Sequence, residues 1–301
     1  MPTMGCWVAL LFALLKREAC FQLYTAFALI LSLASAIICT MKRFLFFAMA
    51  GALACAPVLA ACPFSYWFTF RGTAVYRTAD QSAYLYKTNY IAIDADGAPN
   101  AYGPNDTGID TNVHAGYPGQ SWWPYVLVPD PVDPSKPYVQ TSGAYKGMYV
   151  SKTHLYNTKG SYTDPATYVD ALKIPYIVFP TGFMEIKGAG GMGDFGVAIA
   201  ATADGKRRYR APAIVADSGG GAEPPLGEVS VYLANALGGK NVNPRNGAGQ
   251  PKGPFVHVIF PGTKLSPAWP LTKQQIQDRS EGLLKTVGGW AAVEYCKRTL
   301  P

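Results

Sequence analysis

Histidine and cysteine are scarce in this chain, and that scarcity removes several chemistries. The only histidines are His114, His154 and His257, far apart and without the spacing of a zinc site. Of six cysteines, only Cys62 and Cys296 fall after residue 61, so at most one bridge can form there. Charged residues make up 15% of the chain and leave no dense basic stripe interleaved with aromatics, which argues against a nucleic-acid surface. Lys206-Arg207-Arg208 with Arg210, and Lys297-Arg298, read as solvated turns and strand ends. Internal repeats and low-complexity tracts are also missing. Gly188-Ala189-Gly190-Gly191-Met192-Gly193 lacks the Lys-Ser/Thr of a phosphate loop and the βαβ setting of a dinucleotide site, so a hairpin loop is expected there.

Long apolar runs are confined to the start of the chain. Residues 41–61 have the order of a signal peptide: Lys42 and Arg43, an apolar run from Phe44 to Ala54, then Leu59-Ala60-Ala61-Cys62. Upstream, Phe21 to Thr40 carries no charge and is long enough to cross a bilayer, yet two consecutive export signals are unusual. Residues 1–40 therefore read as an extension from a misplaced start codon, with an extra hydrophobic segment as the alternative. Residues 62–301, about 240 in number, suffice for one domain. The product is expected to be exported, secreted or periplasmic, and monomeric. Leu59-Ala60-Ala61-Cys62 also resembles a lipobox, which would anchor the protein to a membrane through lipidated Cys62. The rival fate is a bridge from Cys62 to Cys296, at home in an oxidising compartment.

Most of the remainder consists of short apolar runs punctuated by Gly, Pro, Asn and Asp, as at Phe64–Phe70, Tyr90–Ile93, Tyr125–Val128, Ile174–Phe179, Val197–Ala201, Ala213–Val215 and Val256–Phe260. Helical periodicity is clear twice. One helix is expected from Glu228 to Leu237, stopping at Gly238-Gly239. Another follows Thr272, which with Gln275 can form a capping box, and buries Ile276, Leu283, Leu284 and Val287 before Gly288-Gly289. The fold class is mainly β: a single barrel-like or sandwich domain with a few peripheral helices. Ala98 to Pro137, dense in Gly, Pro, Asn and Asp, is expected to form long loops beside it.

Asp217-Ser218-Gly219-Gly220-Gly221 and Gly227-Glu228-Val229-Ser230 set two carboxylates either side of a Gly/Pro loop. Glycosidic hydrolysis needs such a pair, one to protonate the leaving oxygen and one to activate water or attack. Spacing alone equally allows a turn aspartate and a helix-capping glutamate. Asp94 and Asp96, followed by Asp106 and Asp110, offer an acidic rim for cationic sugar units; a calcium loop is excluded because Ala98 and Asn105 stand where ligands are needed. Asx turns are the plainer account of the two acids. Tyr102, Tyr117, Trp122 and Trp123 provide flat faces for sugar rings, although adjacent tryptophans on a strand point to opposite sides and core packing is common for such residues. Ala216-Asp217-Ser218-Gly219-Gly220 is one residue from a nucleophile elbow, which keeps a serine hydrolase using Ser218 and His257 as a rival. A non-catalytic, envelope-associated polysaccharide-binding protein is the other.

Several segments together resemble glycoside hydrolase family 75, the fungal-type chitosanases, in the form of an exported bacterial relative. They are Ile93-Asp94-Ala95-Asp96-Gly97-Ala98-Pro99, Ile174-Pro175-Tyr176-Ile177-Val178, Gly193-Asp194, Ala213-Ile214-Val215-Ala216-Asp217 and Gly227-Glu228-Val229-Ser230, and the similarity spans roughly Tyr84 to Pro261. The resemblance implies endo-hydrolysis of β-1,4-linked glucosamine polymers with inversion, no metal or other cofactor, and a barrel of double-psi type. Asp217 and Glu228 match the family's two essential acids, although Ala216 and Ser218 replace the usual neighbours. Glu228 beside a helix N-terminus would favour its charged form and hence the role of base; the resemblance points instead to Glu228 as acid and Asp217 as base. Asp94 and Asp96 then bind substrate ammonium groups, with Tyr102 and either Trp122 or Trp123 as contacts. A formal net charge of +7 opposes a polycationic substrate only weakly: Lys16, Arg17, Lys42 and Arg43 against Glu18 account for three charges, leaving +4 from Cys62 onward.

Overall fold

Nine strands form among the described residues, and they join edge to edge in one mixed sheet. The computed structural model describes residues 61–201, 208–219 and 224–301; the extension and nearly all of the signal peptide lie outside them. The strands are β1 (Phe64–Phe70), β2 (Thr73–Thr78), β3 (Tyr84–Thr88), β4 (Ala92–Asp94), β5 (Tyr176–Pro180), β6 (Phe195–Ala201), β7 (Arg208–Gly219), β8 (Glu228–Ser230) and β9 (Phe255–Phe260). Their order in the sheet is β1-β2-β3-β9-β6-β7-β5-β8-β4. The domain is mainly β, as expected, but the barrel is not closed, because the end strands β1 and β4 do not pair. The sheet nevertheless curls. Arg71, in the β1–β2 turn, donates to the carbonyls of Thr181 and Pro224, which flank β5 and β8, and Phe70 packs edge-on against Phe183 beyond β5.

Each face of the sheet buries its own apolar set. One face gathers Val75, Tyr84, Phe179, Phe183, Val215 and Val229. Behind the other, Val197, Val256 and Val258 meet Leu284, Val293 and Cys296 of two C-terminal helices. These are α2 (Lys273–Thr286) and α3 (Gly289–Thr299); a shorter α1 (Val231–Ala236) follows β8. The capping box forms as the sequence indicates: Thr272 and Gln275 each accept from the other's backbone N–H. α2 ends at Thr286, before Gly288-Gly289, as expected. Gly288, in the left-handed conformation at φ 91°, turns the chain directly into α3.

Of the two fates of Cys62, the structure holds the bridge. Cys62 is bonded to Cys296 across 234 positions of sequence, with the Cα atoms 4.9 Å apart. The bond engages the sulfur that a lipid thioether would need. Among the described residues no helix is long and apolar enough to cross a membrane.

Three local expectations fail. Glu228 starts a strand, not a helix, since α1 begins only at Val231 with Ser230 as its cap. Tyr125–Val128 is not a strand: Trp123–Tyr125 forms a 3₁₀ turn with Pro124 at its start. The glycine-rich segment 188–193 is not a hairpin, because β5 and β6 lie on opposite sides of β7; Asp194 organises it by accepting from the N–H groups of Gly191, Thr263 and Lys264.

Candidate active site

A second apolar layer covers the β5/β7 end of the sheet, built almost wholly from the long loops between β4 and β5. Ala98, Tyr102, Leu127, Tyr149 and Val169 pack there against Tyr176, Val178, Ile214 and Ala216. The acidic residues collect where this loop layer meets the sheet.

Four strands fix their positions. β4 pairs in parallel with β8, setting Ala92 beside Glu228 and Asp94 beside Ser230. The chain can enter β8 that closely because residue 227 is glycine: at φ 139° a Cβ there would lie 2.4 Å from the Tyr90 carbonyl oxygen. β5 pairs in parallel with β7, but the register shifts so that Val215 faces Ile177 and Asp217 faces Val178. Ala216 is the extra residue of a bulge, a common way of re-aiming a side chain beside a site. Leu155 ties the loop layer to the bulge by donating its N–H to the Ala216 carbonyl.

Asp217 is only 4% exposed, and one of its oxygens, Oδ1, receives three donors: His154 Nδ1 at 2.5 Å, the His154 N–H at 3.1 Å and the Ser218 N–H at 2.8 Å. A carboxylate only accepts, so Nδ1 carries the proton. The bond raises the His154 pKa above its ordinary value, against the opposing effect of burial. Glu228 differs. Among the described residues no hydrogen bond reaches its carboxyl, and its pKa is raised to about 7 by burial first, then by the negative charges of Asp217 and Asp110, with His114 opposing. The helix-terminus argument for an ionised Glu228 therefore falls, since the helix starts three residues later.

Asp94, which is buried, and Asp96, which is half-buried, join the same cluster. Asp94 accepts from the Asp96 N–H at 2.7 Å and the Tyr176 hydroxyl at 3.0 Å. Asp96 accepts from Tyr102 at 2.8 Å and Ser151 at 3.1 Å. Burial, with neighbouring carboxylates second, pushes both acids well above the usual carboxylate range. Asp94 does not suit the role of ammonium binder, being enclosed with both oxygens engaged; Asp96 is half-buried, and its Oδ2 accepts no hydrogen bond among the described residues. Tyr102 is buried too and offers its hydroxyl to the acids, so it is no stacking platform. Of the two tryptophans, Trp123 is buried edge-on against Tyr117, and Trp122, 40% exposed over Gly116, is the one available to a ligand.

Asp94, Asp96 and Asp217 each bring one oxygen within 4.8 Å of the others, a spacing that a hard cation could bridge. Protein donors already engage these acids, from Tyr176, Tyr102, Ser151 and His154.

Two histidine–aspartate pairs escape a reading of the sequence. His154 serves Asp217 from 63 positions away, and His114 Nδ1 lies 2.8 Å from Asp110, whose charge acts on Glu228. Only the spacing of His114 four residues after Asp110 offered a signal. His257 is remote from this chemistry: it pairs with Tyr86 across β3 and β9, stacks on its ring, and burial lowers its pKa to about 3. Among the described residues no histidine hydrogen-bonds Ser218, whose own N–H is spent on Asp217. Compared with known proteins, the chain matches no family model and no curated sequence.

Proposed function

We propose that the protein is an exported, endo-acting glycoside hydrolase that cleaves β-1,4 linkages in chitosan or a related glucosamine polysaccharide with inversion of configuration. The observation that carries this reading is the contrast between two neighbouring carboxyls. Glu228 holds its proton up to about pH 7, whereas Asp217 is gripped by three N–H donors. A carboxyl that keeps its proton near neutral pH is what protonation of a leaving oxygen needs. Glu228 is the general acid that protonates the departing glycosidic oxygen. Asp217 is the base that takes a proton from the attacking water; His154 holds its Oδ1, and Oδ2 accepts no hydrogen bond among the described residues. The resemblance to family 75 supports the polymer and the stereochemistry, and the Cys62–Cys296 bridge supports an oxidising compartment.

Release of reducing ends from soluble chitosan tests the reading. Glu228→Gln and Asp217→Asn should each lower kcat by about a thousandfold. Glu228→Gln should recover turnover on a glycoside whose leaving group needs no proton, and Asp217→Asn should not. Proton NMR of the nascent reducing ends should show the α-anomer first. Unimpaired hydrolysis by both variants would reject the assignment, and loss of activity on Ser218→Ala with Asp217 still engaged would favour a serine hydrolase instead.

A further inference from the structure

Basic residues of two distant segments meet at one corner of the domain. Arg208 and Arg210 begin β7, and Lys297-Arg298 stand in the last turn of α3; Lys206 and Arg207 lie outside the described residues. The pairing register adds a third source. Lys87 on β3 lies opposite Val256, Val256 opposite Ile199, and Ile199 opposite Arg210, which sets Lys87 and Arg210 in one row across four strands. Val256 and Ile199 pack with Val293 and Cys296, so the row faces α3. Glu294, buried on α3, accepts from both Arg208 and Arg210, and Lys87 Nζ donates to the Leu300 carbonyl at 2.7 Å. Burial first, then the charge of Lys87, lowers the Lys297 pKa; Arg208 adds to that effect and Glu294 opposes it. Cations here crowd one another.

Five cations, Lys87, Arg208, Arg210, Lys297 and Arg298, outnumber the buried Glu294, and the carboxylate of Pro301, one residue past Leu300, still leaves a surplus of three. The Arg208 and Arg210 side chains remain 51% and 40% exposed, and Arg298 is exposed. The Arg210 and Arg298 guanidiniums lie over the rings of Trp290 and Tyr295, 5.4 and 5.9 Å from their centres. Positive charge beside amphipathic rings suits the headgroup layer of a membrane. The chain also enters the domain here: Cys62, eight residues after the apolar run Phe44–Ala54, is bonded to Cys296 beside Lys297. A segment suited to engage a bilayer during export is thereby joined to this corner. We propose that this corner docks the exported protein on an anionic phospholipid surface, its cations meeting the lipid phosphates. Lipidation of Cys62 has no part in it, and neither has the acid cluster: nine residues of β7, about 30 Å, separate Arg208 from Asp217.

Co-sedimentation of the full exported chain with vesicles of phosphatidylglycerol or of phosphatidylcholine tests the docking. Binding to the anionic vesicles should be at least about tenfold stronger and be lost in about 0.5 M salt. Lys297→Gln/Arg298→Gln, which leaves Arg208 and Arg210 on Glu294, should weaken it about thirtyfold, as loss of two cations near such a surface implies, with Tm and reducing-end release unchanged. Lys146→Gln/Lys159→Gln removes the same charge from exposed loop positions elsewhere and should leave binding intact. Equal binding to both lipids, equal weakening by the two double variants, or tighter binding to inorganic polyphosphate than to the vesicles would overturn the proposal, the last in favour of a soluble polyanion. Chitosan cleavage without vesicle binding rejects the docking alone, and vesicle binding without cleavage rejects the hydrolase alone.

Discussion

The two ends of the sheet differ in regularity and in what they hold. From β1 through β2, β3, β9 and β6 to β7 every pairing is antiparallel, the partners are five to twelve residues long apart from local irregularity in β1, and the buried positions are almost entirely apolar. From β7 to β4 the pairings become parallel or mixed, β8 and β4 shrink to three residues each, and a bulge interrupts β7. Among the described residues, carboxyl groups cluster at the second end. The regular end provides burial and a covalent clamp; the irregular end holds acids that oppose one another and would separate without a fixed backbone beneath them. The covalent clamp and the acid cluster are thus spatially divided, and perturbing each end should have a different signature.

The largest expected effect on stability comes from the clamp. Cys62→Ser, or full reduction, should lower the unfolding free energy by about 5 kcal/mol, as closure of so long a loop implies, while turnover at 25 °C stays within about twofold. Denaturant titration alongside the reducing-end assay reads both; a collapse of activity in the folded variant would show that the ends are not independent.

Glu228→Gln should do the opposite, adding stability while removing turnover. The folded pKa of Glu228, about 7, lies above its ordinary 4.5, so the native state binds more protons than the unfolded state between those values. Stability from this group is greatest below pH 4.5 and falls as pH rises through 7. The variant should therefore be more stable than wild type by on the order of 3 kcal/mol above pH 7 and equal to it below pH 4.5. Wild-type kcat/KM should fall about tenfold per unit above pH 7. A pH-independent difference in stability would place the proton elsewhere.

Ser230→Ala tests the pin beneath the acids. The buried hydroxyl accepts from the N–H groups of Tyr176 and Leu233 and donates to the Ile174 carbonyl, locking β8 to the start of β5 and capping α1. Its loss should cost about 2 kcal/mol and lower kcat more than it raises KM, because Glu228 is displaced relative to Asp217. The smallest effect belongs to His154. Its raised pKa means that the pair with Asp217 stabilises the fold fully below pH 6.5 and less as pH climbs through the folded value. Because the imidazole is partly exposed, His154→Gln should change stability by less than about 1 kcal/mol, detectable as a Tm difference at pH 5.5 that vanishes at pH 9.

What the sequence reveals follows the same division. Short apolar runs with clear turns mark β1, β6 and β9, and the capping box of Thr272 and Gln275 marks α2, because those elements are determined by nearby residues. The site depends on distant ones. Asp217 and Glu228 stand out through the segments that resemble family 75, but three-residue strands lack a period to detect, so Glu228 looked like part of the helix that follows it. Nothing local signals that Tyr176 and Tyr102 supply hydroxyls to Asp94 and Asp96, or that His154 travels 63 positions to reach Asp217. Trp122 and Trp123 diverge because Pro124 turns the chain into a 3₁₀ segment, sending one ring inward and leaving the other at the surface.

The bond between Cys62 and Cys296 also governs how the molecule comes apart. A protease that nicks any intervening loop yields two fragments still tethered as one particle, unchanged in mass apart from the added water. Only a reductant would part them, so damage to the surface loops would escape notice on a non-reducing gel.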